Sequence, residues 1–172
     1  MDFEKIISER FSVRSFKPEH LSADVLNKIL EAGHKAPTGC NYQPQRILVL
    51  NTDEAMEKLK ICTKCHFNAP AALVICHNEE ESWKRVYDGA LSSSVDAVIV
   101  ATYMMLAAQN EGVGCCWVMH FNPEKLCEEF KIPENIKPVS ILIMGEPDDD
   151  AKPFEMHYKF RPIEETVVFD SF

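Results

Sequence analysis

Arg10, Ser12 and Arg14 alternate in the stretch RFSVRSF, residues 10–16, so in an extended segment all three project to one side. Two guanidinium groups flanking a hydroxyl make a small anion cradle, because arginine meets phosphate or carboxylate with paired, charge-assisted hydrogen bonds. A second alternating pair, Lys159 and Arg161 in YKFRPIEE, stands far along the chain. Glu9, Glu164 and Glu165 lie close by in sequence, and taken alone these cations read as solvated surface charges paired with them. The loop APTGCNYQPQR, residues 36–46, changes that balance. Its small and amide-bearing residues let a backbone approach a flat ligand, with Asn41 and Gln43 supplying donors and acceptors. A third stretch, GVGCCWVM at 112–119, sets a glycine pair and Trp117 on a strand edge; by itself the tryptophan reads as core.

Other chemistry finds no footing. Gly112-Val113-Gly114 is half of a dinucleotide fingerprint, yet it leaves a helix and enters a strand, the reverse of the order that phosphate binding at a helix N-terminus requires. No Walker A sequence, nucleophile elbow or H-E-x-x-H helix occurs. Cys62-x-x-Cys65-His66 has the spacing of c-type haem attachment, a chemistry of exported proteins, and reads here as incidental residues at a helix end. As a zinc set completed by Cys76 and His77 it matches no familiar finger. His34 and His120 read as hydrogen-bonded structural residues.

The elements that must carry these residues follow from periodicity and capping. A short helix is predicted over Asp2–Ser8, and a second is capped by Ser22, with Val25, Ile29, Ala32 and Ala36 along one face. Gly33–Pro44 breaks into a loop. Then come a strand at Arg46–Leu50, an amphipathic helix at Asp53–Ile61 and a buried strand at Ala71–Cys76. Ser93 and Asp96 open a buried core helix that ends at Gly112. Cys115–Met119 is a strand, Asn122-Pro123 begins a helix through Phe130, and Val139–Met144 is the last strand. Helices alternating with four strands indicate a helix-covered sheet in a single domain, 1–172. The tail, 147–172, is too apolar to hang in water and is expected to pack on another surface, a partner subunit included.

Composition removes whole classes of function. A net charge of −9 argues against nucleic-acid binding, which needs a basic face, so any anionic ligand must be met by a few placed cations. The most apolar stretch, Val95–Ala108, is about 14 residues, short of the ~20 of a bilayer span. The start MDFEKIISER lacks the basic and apolar run of a signal peptide, and seven cysteines, an odd number, suit a reducing compartment; a cytoplasmic protein is expected, with no membrane or nucleic-acid partner.

The motifs R-x-S-x-R-x-F, A-P-T-G-x-N-x-Q-P, G-x-G-x-x-W, N-P-E-K-L and K-x-R-P-I-E-E, taken in order over essentially the whole chain, resemble the FMN-dependent nitroreductase family. The resemblance implies an α+β fold, a three-layer α/β/α sandwich with a mixed, largely antiparallel sheet. It also implies a homodimer holding two FMN molecules at its interface. On that resemblance Arg10, Phe11, Ser12 and Arg14 lie along the cofactor, with Arg10 and Ser12 toward the phosphate and Arg14 at the N1/O2 edge. Lys159 and Arg161 fall on the phosphate pair, and Pro37, Thr38, Gly39, Asn41 and Gln43 come from the opposite subunit. Cys116, Trp117 and Val118 pass the flavin on its other side, offering a backbone N–H toward N5. Three positions depart from the usual pattern: Thr38 for serine, Gln45 for tryptophan and Ile163 for leucine. The implied activity is electron transfer from NADH or NADPH through FMN to nitroaromatic, quinone or related small-molecule acceptors by a ping-pong mechanism, with no catalytic side chain and no metal. Two other readings stand beside it: another reaction of the same fold, reductive dehalogenation or flavin breakdown, and a non-enzymatic flavin-binding redox sensor.

Overall fold

Side chains that meet free backbone N–H groups set most of the helix starts. In the computed structural model, which describes residues 2–172, α1 (Phe3–Glu9) follows Asp2, and α2 (Ala23–His34) begins where Ser22 Oγ accepts from Val25 N at 3.4 Å. Thr52 Oγ1 accepts from Ala55 N to open α3 (Asp53–Cys62). Asn122 Oδ1 does the same for Lys125 N at α5 (Pro123–Phe130), with proline where the first N–H would go unused. The long helix α4 (Ser93–Asn110) differs from expectation, because Ser92 precedes it and Ser93 is its first residue, buried with its N–H on Ser82 Oγ. Gly112 at φ +78° ends it, letting Val113 N reach back to Ala108 O at 2.8 Å.

Four strands, β1 (Gln45–Leu50), β2 (Ala71–Asn78), β3 (Gly114–Val118) and β4 (Ile136–Gly145), form one sheet in the order β1-β2-β4-β3, antiparallel at every pairing. A parallel component enters through the isolated bridge between Ser12 and Cys115. The strands start and stop within a few residues of the expected bounds, and β2 and β4 run longest because, as central strands, they are covered on both faces. On one face α2 and α4 press Ile29, Val100 and Met104 toward Leu73, Ile75 and Leu142. On the other, α3 and α5 bring Leu59 and Leu126 to Val74, Ile141 and Ile143. Each such side chain contributes about 1.5–3 kcal/mol by leaving water. The result is the expected three-layer α/β/α sandwich.

One expectation is corrected. Helix α4 is not buried all round: Val95, Val98 and Tyr103 are 59%, 38% and 43% exposed. The sheet covers one side of the helix, and nothing among the described residues covers that apolar stripe. Among the described residues no helix is long and apolar enough to cross a membrane.

Candidate functional site

Main-chain bonds fasten the RFSVRSF segment along the outer edge of β3 and past the end of β4. Val13 N donates to Cys115 O at 3.0 Å, Lys17 N to Glu146 O at 2.9 Å, and Asp148 N to Ser15 O at 3.1 Å. Val13 is buried, and it can be so only because residue 114 is glycine: a Cβ there would lie 2.7 Å from Val13 Cγ2 and 2.9 Å from Pro147 Cγ. The glycine pair that is no phosphate loop therefore has a structural use, one glycine ending α4 and the other admitting this segment.

Alternation about the buried Val13 leaves Ser12 half-buried and Arg14 exposed, with Phe11 and Arg10 half-buried before them. Glu9 pairs with Lys5 rather than Arg10, and neither arginine is in an ion pair among the described residues. Arg14 Nη1 donates to Ser12 O at 3.2 Å, and its guanidinium carbon stands 6.0 Å from the centre of the Phe67 ring. Ser12 and Arg14 share a cavity of about 220 Å³ with Phe154, Met156 and His157. Phe67 and His157 belong to no motif noted in the sequence; only the path of the chain brings them here.

β3 supplies the adjoining wall. Cys116 and Val118 are buried toward α3 and α5, so their side chains are withheld from a ligand, whereas Trp117 is half-buried against the opposite layer. Since main-chain groups alternate sides along a strand, and those of Cys115 face the 10–14 segment, the N–H of Trp117 points to the same open edge. Burial pushes the Cys115 thiol up to about 12 and raises that of Cys116 as well, although Arg14 and Ser12 oppose the second shift. Both stay protonated and unreactive near neutral pH.

The 36–46 loop lies elsewhere. It leads into β1, the edge strand farthest from β3, so three strand spacings of about 4.8 Å part it from β3 and a fourth from the 10–14 segment outside β3, within one chain. Cys40, Asn41 and Gln43 all take positive φ, and Thr38 Oγ1 accepts from Gln43 N at 3.1 Å, which coils the loop on itself. Gly39 anchors it: its N–H donates to Asp96 Oδ1 at 2.9 Å, and a Cβ would come 2.9 Å from Ser92 Oγ. The N–H of Gly39 is thus already used. Pro37, Asn41 and Gln43 are exposed, and the buried Oε1 of Gln45 has no partner among the described residues.

Lys159 and Arg161 are exposed on the tail. Lys159 pairs with Glu155, and Arg161 with Glu165 at 3.6 Å, so they close on their own segment instead of joining Arg10. The tail residues that share the cavity of Ser12 and Arg14 are Phe154, Met156 and His157.

What the described residues assemble is a strand edge with the Trp117 N–H outward, two arginines outside ion pairs and a hydroxyl, which suits an anion carrying a flat, hydrogen-bonding body. Comparison with known proteins gives this arrangement its context. The family model described as "Nitroreductase family" matches residues 7–66 and 60–146. A protein of Archaeoglobus fulgidus, provisionally named an NADH dehydrogenase/NAD(P)H nitroreductase, is 30% identical over 165 residues, 92% of each chain. An NADPH-dependent oxidoreductase of Staphylococcus aureus is 25% identical, over 86% of this chain and 67% of its own. Among solved structures, a nitroreductase family protein from Clostridium difficile 630 is 34% identical over the whole of both chains with a TM-score of 0.93. An FMN-dependent nitroreductase from Clostridium difficile R20291 is 26% identical over 98% of this chain and 99% of its own, with a TM-score of 0.80. With a family match over most of its length and full-length likeness in sequence and fold, this chain belongs to the nitroreductase family.

Proposed function

We propose that the protein is an FMN-dependent oxidoreductase that passes electrons from NAD(P)H to nitroaromatic, quinone or related acceptors by a ping-pong route, as a cytoplasmic homodimer. The observation that carries this reading is the fastening of Arg10, Ser12 and Arg14 to the edge of β3, beside the outward N–H of Trp117. The residues fit FMN. The cations outside ion pairs among the described residues suit a dianionic phosphate, the open strand edge suits a planar ring, and the thiols of Cys115 and Cys116 are buried and protonated. Bound FMN supplies the hydride chemistry of the reaction.

The side chains hold and tune. Arg10 and Ser12 would hold the phosphate, with Lys159 and Arg161 joining them on release from Glu155 and Glu165, and Arg14 would set a positive charge at the N1/O2 edge to stabilise the reduced ring. Within the Cys116–Val118 stretch, the outward N–H of Trp117 would donate toward N5. Pro37, Thr38, Asn41 and Gln43 close the site from a second copy of the chain, with Gly39 letting that loop lie close to its own α4. The separation of loop and cradle at opposite sheet edges supports this, as do the uncovered stripe of α4 and the exposed apolar tail 147–172, whose surface a partner would bury. Donor and acceptor occupy the exposed face in turn, and acceptor protons come from solvent.

Purified protein should be yellow, release FMN on denaturation, sediment as a dimer, and oxidise NADH or NADPH faster when a nitroaromatic or quinone is added. Failure to take up FMN from solution would end this reading. A stable monomer with full FMN occupancy would remove the shared site.

A further inference from the structure

A groove of about 720 Å³ runs between the last turn of α3 and the first turn of α5, outside the cradle. Lys60, Lys64, Lys125 and His120 line it, with Glu124 as its acidic member. Lys60 is held by Glu57 at 2.5 Å, whereas Lys64 and Lys125 enter no ion pair among the described residues. In a chain of net charge −9 this local excess of free cations stands out. The helix end adds to it: Asn122 takes the N–H groups of Lys125 and Leu126, residue 123 is proline, and the Glu124 N–H has no partner within the helix.

The chain from residue 62 to 67 leads from the groove to the cradle. Cys62, Thr63 and Lys64 line the groove, and Phe67, three residues on, faces Arg14. His120 stands beside this stretch, its carbonyl accepting from Thr63 Oγ1 at 2.5 Å and its Nδ1 lying 3.9 Å from Cys65 Sγ. It follows Val118, the end of β3, by two residues.

We propose that this groove binds the phosphates of a nucleotide and, resting on the oxidoreductase reading above, those of the NAD(P)H donor. In a dinucleotide a ribose separates the nicotinamide from the pyrophosphate, so an anion site joined to Arg14 through Lys64 and the nearby Phe67 suits phosphates whose ring reaches the cradle. Lysines fit the task. They act as mobile point charges without the fixed bidentate geometry of arginine, which suits a donor that must leave before the acceptor enters.

The test is the full-length variant Lys64→Ala/Lys125→Ala, loaded with flavin. Both side chains are exposed and outside ion pairs, so folding is not at stake. KM for NADPH should rise about tenfold or more, as expected for lost charged hydrogen bonds, with kcat unchanged. KM for N-benzyl-dihydronicotinamide, a donor without phosphate, should stay as in the parent protein. An unchanged KM for NADPH, or an equal rise for both donors, would overturn the assignment. Calorimetry separates this from failure of the oxidoreductase reading, since it needs no turnover. Adenosine 2′,5′-bisphosphate should bind the parent protein and not the variant; no binding to the parent, or binding no tighter than that of inorganic phosphate, would overturn the proposal even if the flavin chemistry stands.

Discussion

Arg10 and Arg14 near one end of the chain, and Lys159 and Arg161 near the other, look alike as spaced cations beside acidic neighbours, yet the fold treats them differently. The first pair is pinned by bonds at Val13, Ser15 and Lys17 to β3 and the end of β4, with a buried valine between the arginines. The second rides on a tail where Phe160 and Phe169 are 84% and 83% exposed, and its charges close on Glu155 and Glu165. Spacing makes a cation available, but only main-chain bonding and a buried neighbour hold it in place. Among the described residues the tail's cations meet only their own segment's carboxylates, and exposed pairs of this sort contribute only about 0–1 kcal/mol.

The largest effect should come from deleting residues 153–172. If the tail depends on a second subunit, the shortened chain will sediment as a monomer and lose FMN, while circular dichroism still reports the three-layer core. A truncated chain that stays dimeric and yellow would erase the proposed contrast. Next comes Gly114→Val, which puts a side chain where Val13 and Pro147 already sit. A loss of about 1–3 kcal/mol in urea unfolding is expected from overpacking, together with weaker FMN binding. Parent-like behaviour would mean that the 10–14 segment is not held as described.

Arg10→Ala should weaken FMN binding by about 1.5–3 kcal/mol and riboflavin binding much less, because riboflavin lacks the phosphate. Arg14→Ala should in addition lower the flavin midpoint potential by removing positive charge beside the reduced ring. Lys159→Ala and Arg161→Ala sharpen the comparison: they should weaken FMN binding in the dimer and leave the urea midpoint of the chain almost unmoved. Equal losses of FMN and riboflavin in Arg10→Ala would release that residue from the phosphate.

The smallest effect belongs to the scaffold under both regions. Burial holds the pKa of His77, on β2, below its ordinary value. Above about pH 6.5 both folded and unfolded chains carry it neutral and it contributes nothing. As pH falls below that point the unfolded chain takes up a proton that the folded chain resists, so stability declines toward the lower folded pKa. His66 acts with the same sign, through burial and the nearby Lys60. His77→Asn should flatten the slope of unfolding free energy between pH 6.5 and 5; an unchanged slope would exempt this residue.

Periodicity and capping were enough to read most of the fold. Ser22, Asn122-Pro123 and Gly112 act at their helix ends as expected, and the apolar runs at 71–76 and 139–144 lie in the two central strands. These signals are local, since a cap or an apolar run works through neighbours a few residues away. The candidate site was legible only in part. Arg10, Ser12 and Arg14 could be singled out because their spacing is meaningful in any extended segment. The approach of Phe67 and His157, the commitment of the Gly39 N–H to Asp96, and the free stripe of α4 had no sequence signal. Each depends on where the sheet sets distant segments. So the chain's residue types and spacings determined which elements form, which side chains enter the core and which cations are available for an anion. Strand order and packing decided that the cradle lies on β3, that the loop lies across the sheet from it, and that the tail's cations face solvent, because these depend on contacts between residues far apart in sequence.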